Sequence, residues 1–161
     1  SYLSRATQSI EETLREARIN PRGRSAKALF PSDNPIQALV NAFTRRTYVP
    51  PHYHNIKNEY FLALQGEVAV VTYTYEGGIS NIQHLSPGRL YTHVTPGIIH
   101  SAVPLSEEAV ILEILDRPYI EKTHKQFPTW AIPEDDPRVP EFQRKLKESI
   151  TQLLKINPIS Q

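Results

Sequence analysis

Three histidines and one glutamate stand at spacings that could place their side chains around one metal ion. His52 and His54 are two residues apart, so in an extended segment both imidazoles lie on the same face. Glu59 opens the next predicted strand and could bring a carboxylate to the same point. His100 follows a Pro-Gly turn far along the chain and offers a further donor. Three neutral imidazoles and a carboxylate suit a divalent Fe, Mn, Ni, Co or Zn ion with a position left open for water or substrate.

The composition restricts which chemistry is possible. The chain has no cysteine, which excludes disulfides, zinc fingers, iron–sulfur clusters and thiol catalysis, so nitrogen and oxygen must hold any metal. Counts of 18 Lys and Arg against 17 Asp and Glu give a net charge of +1, and we therefore expect no nucleic-acid or membrane partner. No run approaches the ~18 apolar residues of a membrane span, and the N-terminal residues lack the apolar core of a secretory signal. We therefore expect a cytoplasmic protein.

The 161 residues suffice for a single domain with one core, and the character of the sequence changes twice along it. The first part should hold an amphipathic helix, Leu3–Arg18, and a basic loop, Asn20–Lys27. The middle part should be the β-barrel core. The last part should be a proline-rich strap and a helix that has Pro140 in its first turn and ends at Asn157-Pro158. The three parts are residues 1–35, 36–116 and 117–161.

Seven short runs rich in Val, Ile, Tyr, Thr and Phe predict the strands of the middle part. Glycines and prolines separate them, and no helical segment lies between them. This pattern favours an all-β sandwich or barrel over a parallel α/β sheet. The predicted strands are Gln37–Tyr48, Glu59–Gln65, Glu67–Tyr75, Ser80–Leu85, Leu90–Val94, His100–Val103 and Ala109–Leu115.

The histidine motifs resemble those of a known superfamily. The spacing H-x-H-x4-E-x6-G from His52 to Gly66, with P-G-x-x-H from Pro96 to His100, is similar to the two motifs of the cupin superfamily. Over about residues 17–134 the chain further resembles the WbuC-type cupin-fold metalloproteins. Beyond those two motifs, the segments that carry this likeness are Arg18…Pro21-Arg22-Gly-Arg24, Glu113…Pro118-Tyr119 and Phe127-Pro-Thr-Trp130-Ala131 with Pro133-Glu134 behind it.

The resemblance implies an all-β double-stranded β-helix, a cupin or jelly-roll barrel with N-terminal and C-terminal flanking helices, in one domain over residues 1–161. It implies a metal held by His52, His54, Glu59 and His100, and often a homodimer. The family is named after genes of surface-polysaccharide synthesis and brings no defined reaction. Three functions stay open. The first is a metal-dependent isomerase, epimerase or lyase that acts on an oxygen-rich small molecule such as a sugar or sugar nucleotide. The others are an Fe(II)-dependent dioxygenase and a non-catalytic binding or sensing protein.

Four further residues are candidates for catalysis or substrate binding. Glu113 interrupts an apolar strand, where it either accepts a hydrogen bond from a liganding histidine or points outward. Tyr48 shares the parity of the paired histidines and is either a cavity group or a packed aromatic, since the prolines between could break the alternation. Arg22 and Arg24 either lie in a solvated loop or present guanidinium groups to a carboxylate or phosphate at the barrel mouth. We expect no role for the remaining histidines, His84, His93 and His124.

Overall fold

The computed structural model describes residues 2–156 and 159, and it describes side chains from Ile10 onward. Within this part of the chain three helices and eight strands follow one another. No described helix combines the length and apolar composition that a membrane crossing requires. The elements are α1 (Tyr2–Ile19), β1 (Arg24–Ala28), β2 (Gln37–Thr44), β3 (Glu59–Gln65), β4 (Val68–Tyr73), β5 (Ile79–Leu85), β6 (Tyr91–Val94), β7 (His100–Pro104), β8 (Glu108–Leu115), α2 (Glu121–His124) and α3 (Val139–Leu154).

Two antiparallel sheets form the centre of the molecule. The larger sheet has the order β1-β2-β8-β3-β6 and the smaller one the order β5-β4-β7. Phe43 and Phe61 of the larger sheet pack with Val68 and Val70 of the smaller one in a shared core. The described strands are not hydrogen-bonded into a closed barrel. The arrangement confirms the predicted all-β jelly roll with helices on both flanks.

Helix α3 covers the outer face of the smaller sheet. Its Leu146 and Ile150 pack on Val71 and neighbouring residues of β4, which is apolar on both faces because the inter-sheet core lies on its other side. The helix begins at Val139 with a proline in its first turn, as predicted. The predicted stop at Asn157-Pro158 lies outside the described residues.

Helix α1 covers the β1–β2 end of the larger sheet. Leu14 and Ala17 are buried against Val40 and Val110. The apolar stripe of the amphipathic prediction is therefore the buried face, as far as the described side chains extend. The side chain of Leu3, where the predicted helix begins, lies outside them.

The basic segment Asn20–Lys27, predicted as a loop, contains most of strand β1. This strand lies at the edge of its sheet and pairs antiparallel with β2, with Arg24 opposite Phe43. An exposed edge strand needs no alternation of apolar residues, so the sequence carries no strand signal there. Gly23 makes the preceding turn with φ +69, a conformation that favours glycine. Arg24 consequently lies in a strand that is paired with β2, and not in a loop.

The end of β2 also differs from the prediction, which extended the strand to Tyr48. The strand stops at Thr44, where a turn begins. The hydroxyl of Thr47 accepts a hydrogen bond from the Thr44 amide at 3.0 Å and donates to the Gly23 carbonyl at 3.0 Å. This threonine corner reverses the chain before the paired histidines, so strand parity does not carry across it.

Residues 117–138, which we call the strap, run across the sheets to α3. Gln126 exchanges two backbone hydrogen bonds of 2.9 Å with Tyr53. Farther on, the indole of Trp130 donates to the Tyr75 carbonyl at 2.9 Å and packs against the core beneath α3. Because Tyr53 stands between the paired histidines, the first contact holds the strap directly against the candidate ligand segment.

Candidate metal centre

The four residues predicted as metal ligands lie together between the two sheets. One donor atom from each of His52, His54, Glu59 and His100 falls within 4.8 Å of the others. All four residues are at most 5% exposed. Glu59 opens β3 and His100 opens β7, while His52 pairs with His100 through backbone hydrogen bonds of 3.0 and 2.8 Å. This backbone pairing thus joins His52, in the segment between β2 and β3, to His100 in the smaller sheet.

Backbone carbonyls fix the orientation of all three histidine rings. Nδ1 of His52 lies 2.8 Å from the Pro50 carbonyl, and Nδ1 of His100 lies 2.9 Å from the Ile98 carbonyl. Nδ1 of His54 lies 2.5 Å from the carbonyl of a strap residue, His124. A carbonyl only accepts, so each Nδ1 carries a proton and each neutral ring offers the Nε2 lone pair. Such contacts are the usual support of metal-binding histidines.

One of these Nε2 atoms has no protein partner. His54 Nε2 is buried and forms no hydrogen bond with the described residues. Glu59 Oε1 lies 2.7 Å from His100 Nε2 and 3.4 Å from His54 Nε2. A buried nitrogen without a partner costs about 1–3 kcal/mol. A metal ion would remove that cost and ligate the converging lone pairs, so the donor set fits a divalent ion that accepts nitrogen and oxygen.

The ligand residues also have suitable protonation states. Burial, and next the neighbouring His100, lowers the pKa of His52 well below its ordinary value, which leaves the ring neutral. Burial raises the pKa of Glu59, but the neighbouring rings of His100 and His54 outweigh it and hold the pKa well below the usual range. A neutral imidazole and an ionised carboxylate are the forms that bind metals.

A cavity of about 430 Å³ opens beside the ligands. Its volume falls in the range of ligand-binding pockets, about 300–1,000 Å³. Phe43, Phe61 and Ala102 supply apolar wall, while a polar wall comes from β1, β2, β8 and the strap. The residues of the polar wall are Arg22, Arg24, Asn41, Glu113, Glu121, His124 and Lys125.

Three of the four additional candidates line this cavity. Glu113 faces inward from β8, and burial, followed by the Glu59 carboxylate, raises the pKa of its carboxyl well above the ordinary value. Arg22 and Arg24 both reach the wall and both donate to the carboxylate of Glu134 in the strap. Sequence reasoning did not identify Glu134 as their partner, because the two segments are far apart in the chain.

Tyr48 is not among the cavity residues. Its hydroxyl donates to the Ile132 carbonyl at 2.6 Å, and its ring packs edge-on against Phe142 of α3. Burial, followed by Glu134 and Asp136, raises the pKa of its phenol to about 12. The threonine corner that ends β2 removes the strand parity that suggested a cavity position. Tyr48 therefore lies packed against α3, and it does not line the cavity beside the candidate ligands.

Three residues near the site, Lys57, His124 and Lys125, had no predicted role there. Lys57 is buried and donates to Gln37 Oε1 at 2.7 Å and to Nδ1 of His124 at 3.1 Å. Burial, followed by Lys57, lowers the pKa of His124 to about 4, so this ring accepts in its neutral form. His124, expected to have no role, holds His54 through its carbonyl, and Lys125 lines the cavity beside it. Lys57 lies between His54 and Glu59 in the H-x-H-x4-E motif, and this position is the one feature of the sequence that could have indicated it.

Comparisons with known proteins agree with this architecture. The profile of a family described as a domain of unknown function, DUF6016, matches residues 6–85. None of the curated proteins matches the chain. Among solved structures, the capsular polysaccharide assembling protein CapF from Staphylococcus aureus superposes with a TM-score of 0.59 and 17% identity over 68% of this chain. That alignment covers only 30% of CapF, so the present chain corresponds to less than a third of that protein.

Two other neighbours are closer to this chain in size. KdgF from a Halomonas species aligns over 65% of this chain and 87% of its own, with 20% identity and a TM-score of 0.50. An oxalate oxidase in complex with the substrate analogue glycolate aligns over 87% of this chain and 69% of its own, with 15% identity and a TM-score of 0.56. At such identities the likeness establishes the fold alone. Together with the two facing antiparallel sheets, it shows that this chain has the cupin jelly-roll fold with flanking helices.

Proposed function

We propose that this chain is a metal-dependent enzyme of the cupin type that acts on an oxygen-rich small molecule. The observation that carries the proposal is the convergence of three oriented Nε2 atoms and one carboxylate beside a cavity of about 430 Å³. His52, His54, Glu59 and His100 would hold a divalent Fe, Mn, Ni, Co or Zn ion. When bound, such an ion would polarise a carbonyl or hydroxyl oxygen of the substrate.

The remaining chemistry belongs to the cavity wall. Glu113 is the carboxyl group placed on the wall beside the ligand cluster, so it can exchange a proton with a bound substrate. The apolar residues beside it exclude water from part of the cavity. A proton-exchanging carboxyl next to a polarised oxygen supports isomerisation, epimerisation or lyase chemistry.

The proposed substrate is a sugar or sugar nucleotide. Two observations support this class: the motifs resemble WbuC-type proteins, and the CapF neighbour is described as a capsular polysaccharide assembling protein. The polar wall, rich in charged and amide side chains, is also suited to hydroxyl-bearing molecules. It favours catalysis over a purely sensing or storage role, for which an apolar wall would suffice.

An Fe(II)-dependent dioxygenase is the second candidate. The observation that favours it is the oxalate oxidase neighbour, which shares the fold over 87% of this chain. Three histidines and one carboxylate permit iron and leave open positions for oxygen and substrate. Oxygen consumption that requires iron therefore separates the two enzymatic candidates.

We also propose a homodimer, as the family resemblance implies. Its support is an exposed apolar surface at the β3–β6 edge of the larger sheet, where Leu62 pairs with Tyr91 and Leu64 follows. Covering such side chains against a second copy would remove them from water. Sedimentation equilibrium of the purified chain tests this directly.

Proton exchange tests the proposed enzyme class without knowledge of the natural substrate. The protein is reconstituted separately with Fe(II), Mn, Ni, Co and Zn. Each form is incubated in D2O with a panel of sugars and sugar nucleotides, and the incorporation of deuterium into these compounds is followed by NMR. We expect metal-dependent exchange in at least one pair, and its loss in Glu113→Gln with metal binding retained. Oxygen consumption that requires iron would replace this class by the dioxygenase, and metal loading without either reaction would favour the binding protein.

A further inference from the structure

Two cations from distant segments meet on the cavity wall outside the metal ligands. Arg24 comes from the edge strand β1, and Lys125 comes from the strap immediately after His124. Neither residue touches the four candidate ligands through a hydrogen bond or ion pair in the described part of the chain. Both are therefore available for a function that the ligand cluster does not explain.

Arg24 has an unsatisfied donor. Its side chain is only 13% exposed, and its Nη2 donates to Glu134 Oε1 at 2.6 Å. Its Nε is buried and has no hydrogen-bond partner among the residues that the structure describes. A buried N–H without an acceptor costs about 1–3 kcal/mol, and more when it belongs to a charged group. The guanidinium therefore lacks one acceptor, at a position where it lines the cavity.

Lys125 is likewise without a close partner. Its ammonium group forms no hydrogen bond or ion pair with any described residue, although it is mostly enclosed. Burial first, and the charge of Arg24 next, lowers its pKa, while the charges of Glu113 and Glu59 oppose this. Arg24 and Lys125 line the same cavity, so both would attract an anion bound there.

Arg22 does not belong to this pair. Its side chain is 55% exposed, and both Nε and Nη2 already donate to the Glu134 carboxylate at 2.8 Å. This bidentate pair satisfies the edge of the guanidinium that would otherwise bind a carboxylate. Of the two arginines that line the cavity, Arg24 is thus the one with a buried donor that lacks an acceptor among the described residues.

We propose that Arg24 and Lys125 form an anion subsite that recognises a carboxylate or phosphate group on the substrate of the metal centre. The inference rests on the proposed function, because it assigns a role to the second end of a molecule whose oxygen atoms reach the metal ligands. It narrows the substrate from an oxygen-rich molecule to an anionic one, and it fixes the orientation in which that molecule lies in the cavity. We expect neutral polyols to bind weakly, because they leave Arg24 Nε and the Lys125 ammonium group without an anionic acceptor.

Matched probes test the subsite in the zinc-loaded protein. Glycerol, glycerate and glycerol phosphate share vicinal hydroxyls and differ in the anionic group, and their affinities are measured by calorimetry. We expect glycerate or glycerol phosphate to bind at least tenfold more tightly than glycerol, as charge-assisted hydrogen bonds of about 1.5–3 kcal/mol allow. Whichever of the two binds more tightly identifies the carboxylate or the phosphate as the recognised group.

Variants separate the subsite from the metal. Arg24→Lys keeps a cation beside Glu134 but removes Nε–H, and Lys125→Gln removes the ammonium; both should lose most of the anion preference and keep the zinc content of the wild type. Lys122→Gln, at an exposed lysine of α2 that does not line the cavity, should keep the preference. Equal affinity for glycerol and the anions, or an anion preference that survives both cavity variants, would overturn the subsite.

A metal-free measurement makes failure of the subsite distinguishable from failure of the metal centre. Acetate and inorganic phosphate are titrated into the metal-free protein, and the Nε–H resonance assigned to Arg24 by its absence in Arg24→Lys is followed by NMR. A saturable shift that Lys125→Gln abolishes supports the anion subsite even if the protein takes up no zinc. No shift with either anion refutes it even if zinc binds fully.

Discussion

At the scale of single residues, the three histidine rings are oriented by backbone carbonyls that come from three different places. Pro50 and Ile98 hold His52 and His100 from within the same local turns. His54 instead depends on the carbonyl of His124 in the strap, and Lys57 holds the ring of the same residue through its Nδ1. The ligand with the unsatisfied Nε2 is therefore the one whose orientation depends on tertiary contacts.

Replacing Lys57 should weaken metal binding without removing a ligand. In Lys57→Met the hydrogen bonds to Gln37 and His124 are lost, so the strap carbonyl no longer holds His54 as firmly. We expect metal affinity to fall by roughly tenfold or more, the usual effect of removing an outer support of a ligand. Competition with a chromophoric chelator measures it. Lys27→Met, at an exposed lysine of β1, is the control; equal affinity in both variants would contradict the proposed support.

The ligands could be recognised in the sequence because their spacing is local. His52 and His54 share one extended segment, and Gly66 and Pro96 mark the turns that accompany Glu59 and His100. Lys125 could not be recognised, because it reaches the cavity through an irregular strap whose course depends on contacts such as Gln126 with Tyr53. The direction of a side chain beyond a turn is similarly not fixed by strand parity.

At the scale of elements, the turn after β3 has no room for a side chain at Gly66. Gly66 has φ +71, and a Cβ there would lie 2.3 Å from the Glu108 carbonyl oxygen and 3.1 Å from the Ala109 Cα. The turn lies where β3 ends beside the start of β8, the strand with which β3 pairs. Backbone atoms cannot move aside as a flexible side chain can.

Two glycines with similar backbone angles should therefore respond differently to alanine. Gly66→Ala combines strain with a backbone collision and should cost roughly 3 kcal/mol or more. Gly88 has φ +72 but open space around the added Cβ, so Gly88→Ala should cost only about 1 kcal/mol. Urea unfolding followed by circular dichroism compares them. Equal losses of stability would show that the collision at Gly66 relaxes easily.

The strap should be sensitive to acid through Glu134. Burial raises the pKa of this carboxyl, but hydrogen bonds and charge from Arg22 and Arg24 outweigh it and lower the pKa below the ordinary value of 4.5. A carboxyl with a lowered pKa stabilises the folded state above its unfolded pKa. That contribution is lost as the pH falls through the folded value.

Glu134→Gln should remove this part of the acid sensitivity. We expect a loss of about 1 kcal/mol at neutral pH, limited by the exposure of Arg22, and a smaller further loss below pH 4.5 than in the wild type. Trp130 is the only tryptophan and lies in the strap, so its emission reports strap docking during denaturation. Asp135→Asn, at an exposed neighbouring carboxylate, is the control. Parallel stability curves for wild type and Glu134→Gln would argue against the arginine pairs.

Edge elements were harder to predict than central ones. β3 has the predicted bounds, because its apolar and aromatic residues are half-buried in a regular alternation. β1 was predicted as loop because an edge strand of polar residues lacks that pattern, although it places Arg24 in the cavity. The residues that distinguish this cavity thus lie on the elements with the weakest sequence signal.

At the scale of the whole molecule, the four candidate ligands come from three different parts of the fold. Glu59 belongs to the larger sheet and His100 to the smaller one. His52 and His54 belong to the segment between β2 and β3, which pairs with the strap at Tyr53. An ion bound to all four would cross-link both sheets, and it would stabilise the folded state by mass action. The strand pattern predicted an all-β sandwich or barrel, and the resemblance of the histidine motifs to those of the cupin superfamily implied the jelly roll. The substrate could not be predicted, because it depends on the cavity wall.

Metal content tests the central claim most directly. Elemental analysis is made on the protein as purified and after reconstitution, for wild type, His52→Ala/His100→Ala and His84→Ala/His93→Ala. The last variant removes two histidines outside the cluster, which instead contact Glu67 and Asn58. We expect about one ion per chain in wild type and in this control, and close to none when two ligands are removed. A wild type that holds no more metal than His52→Ala/His100→Ala would contradict it.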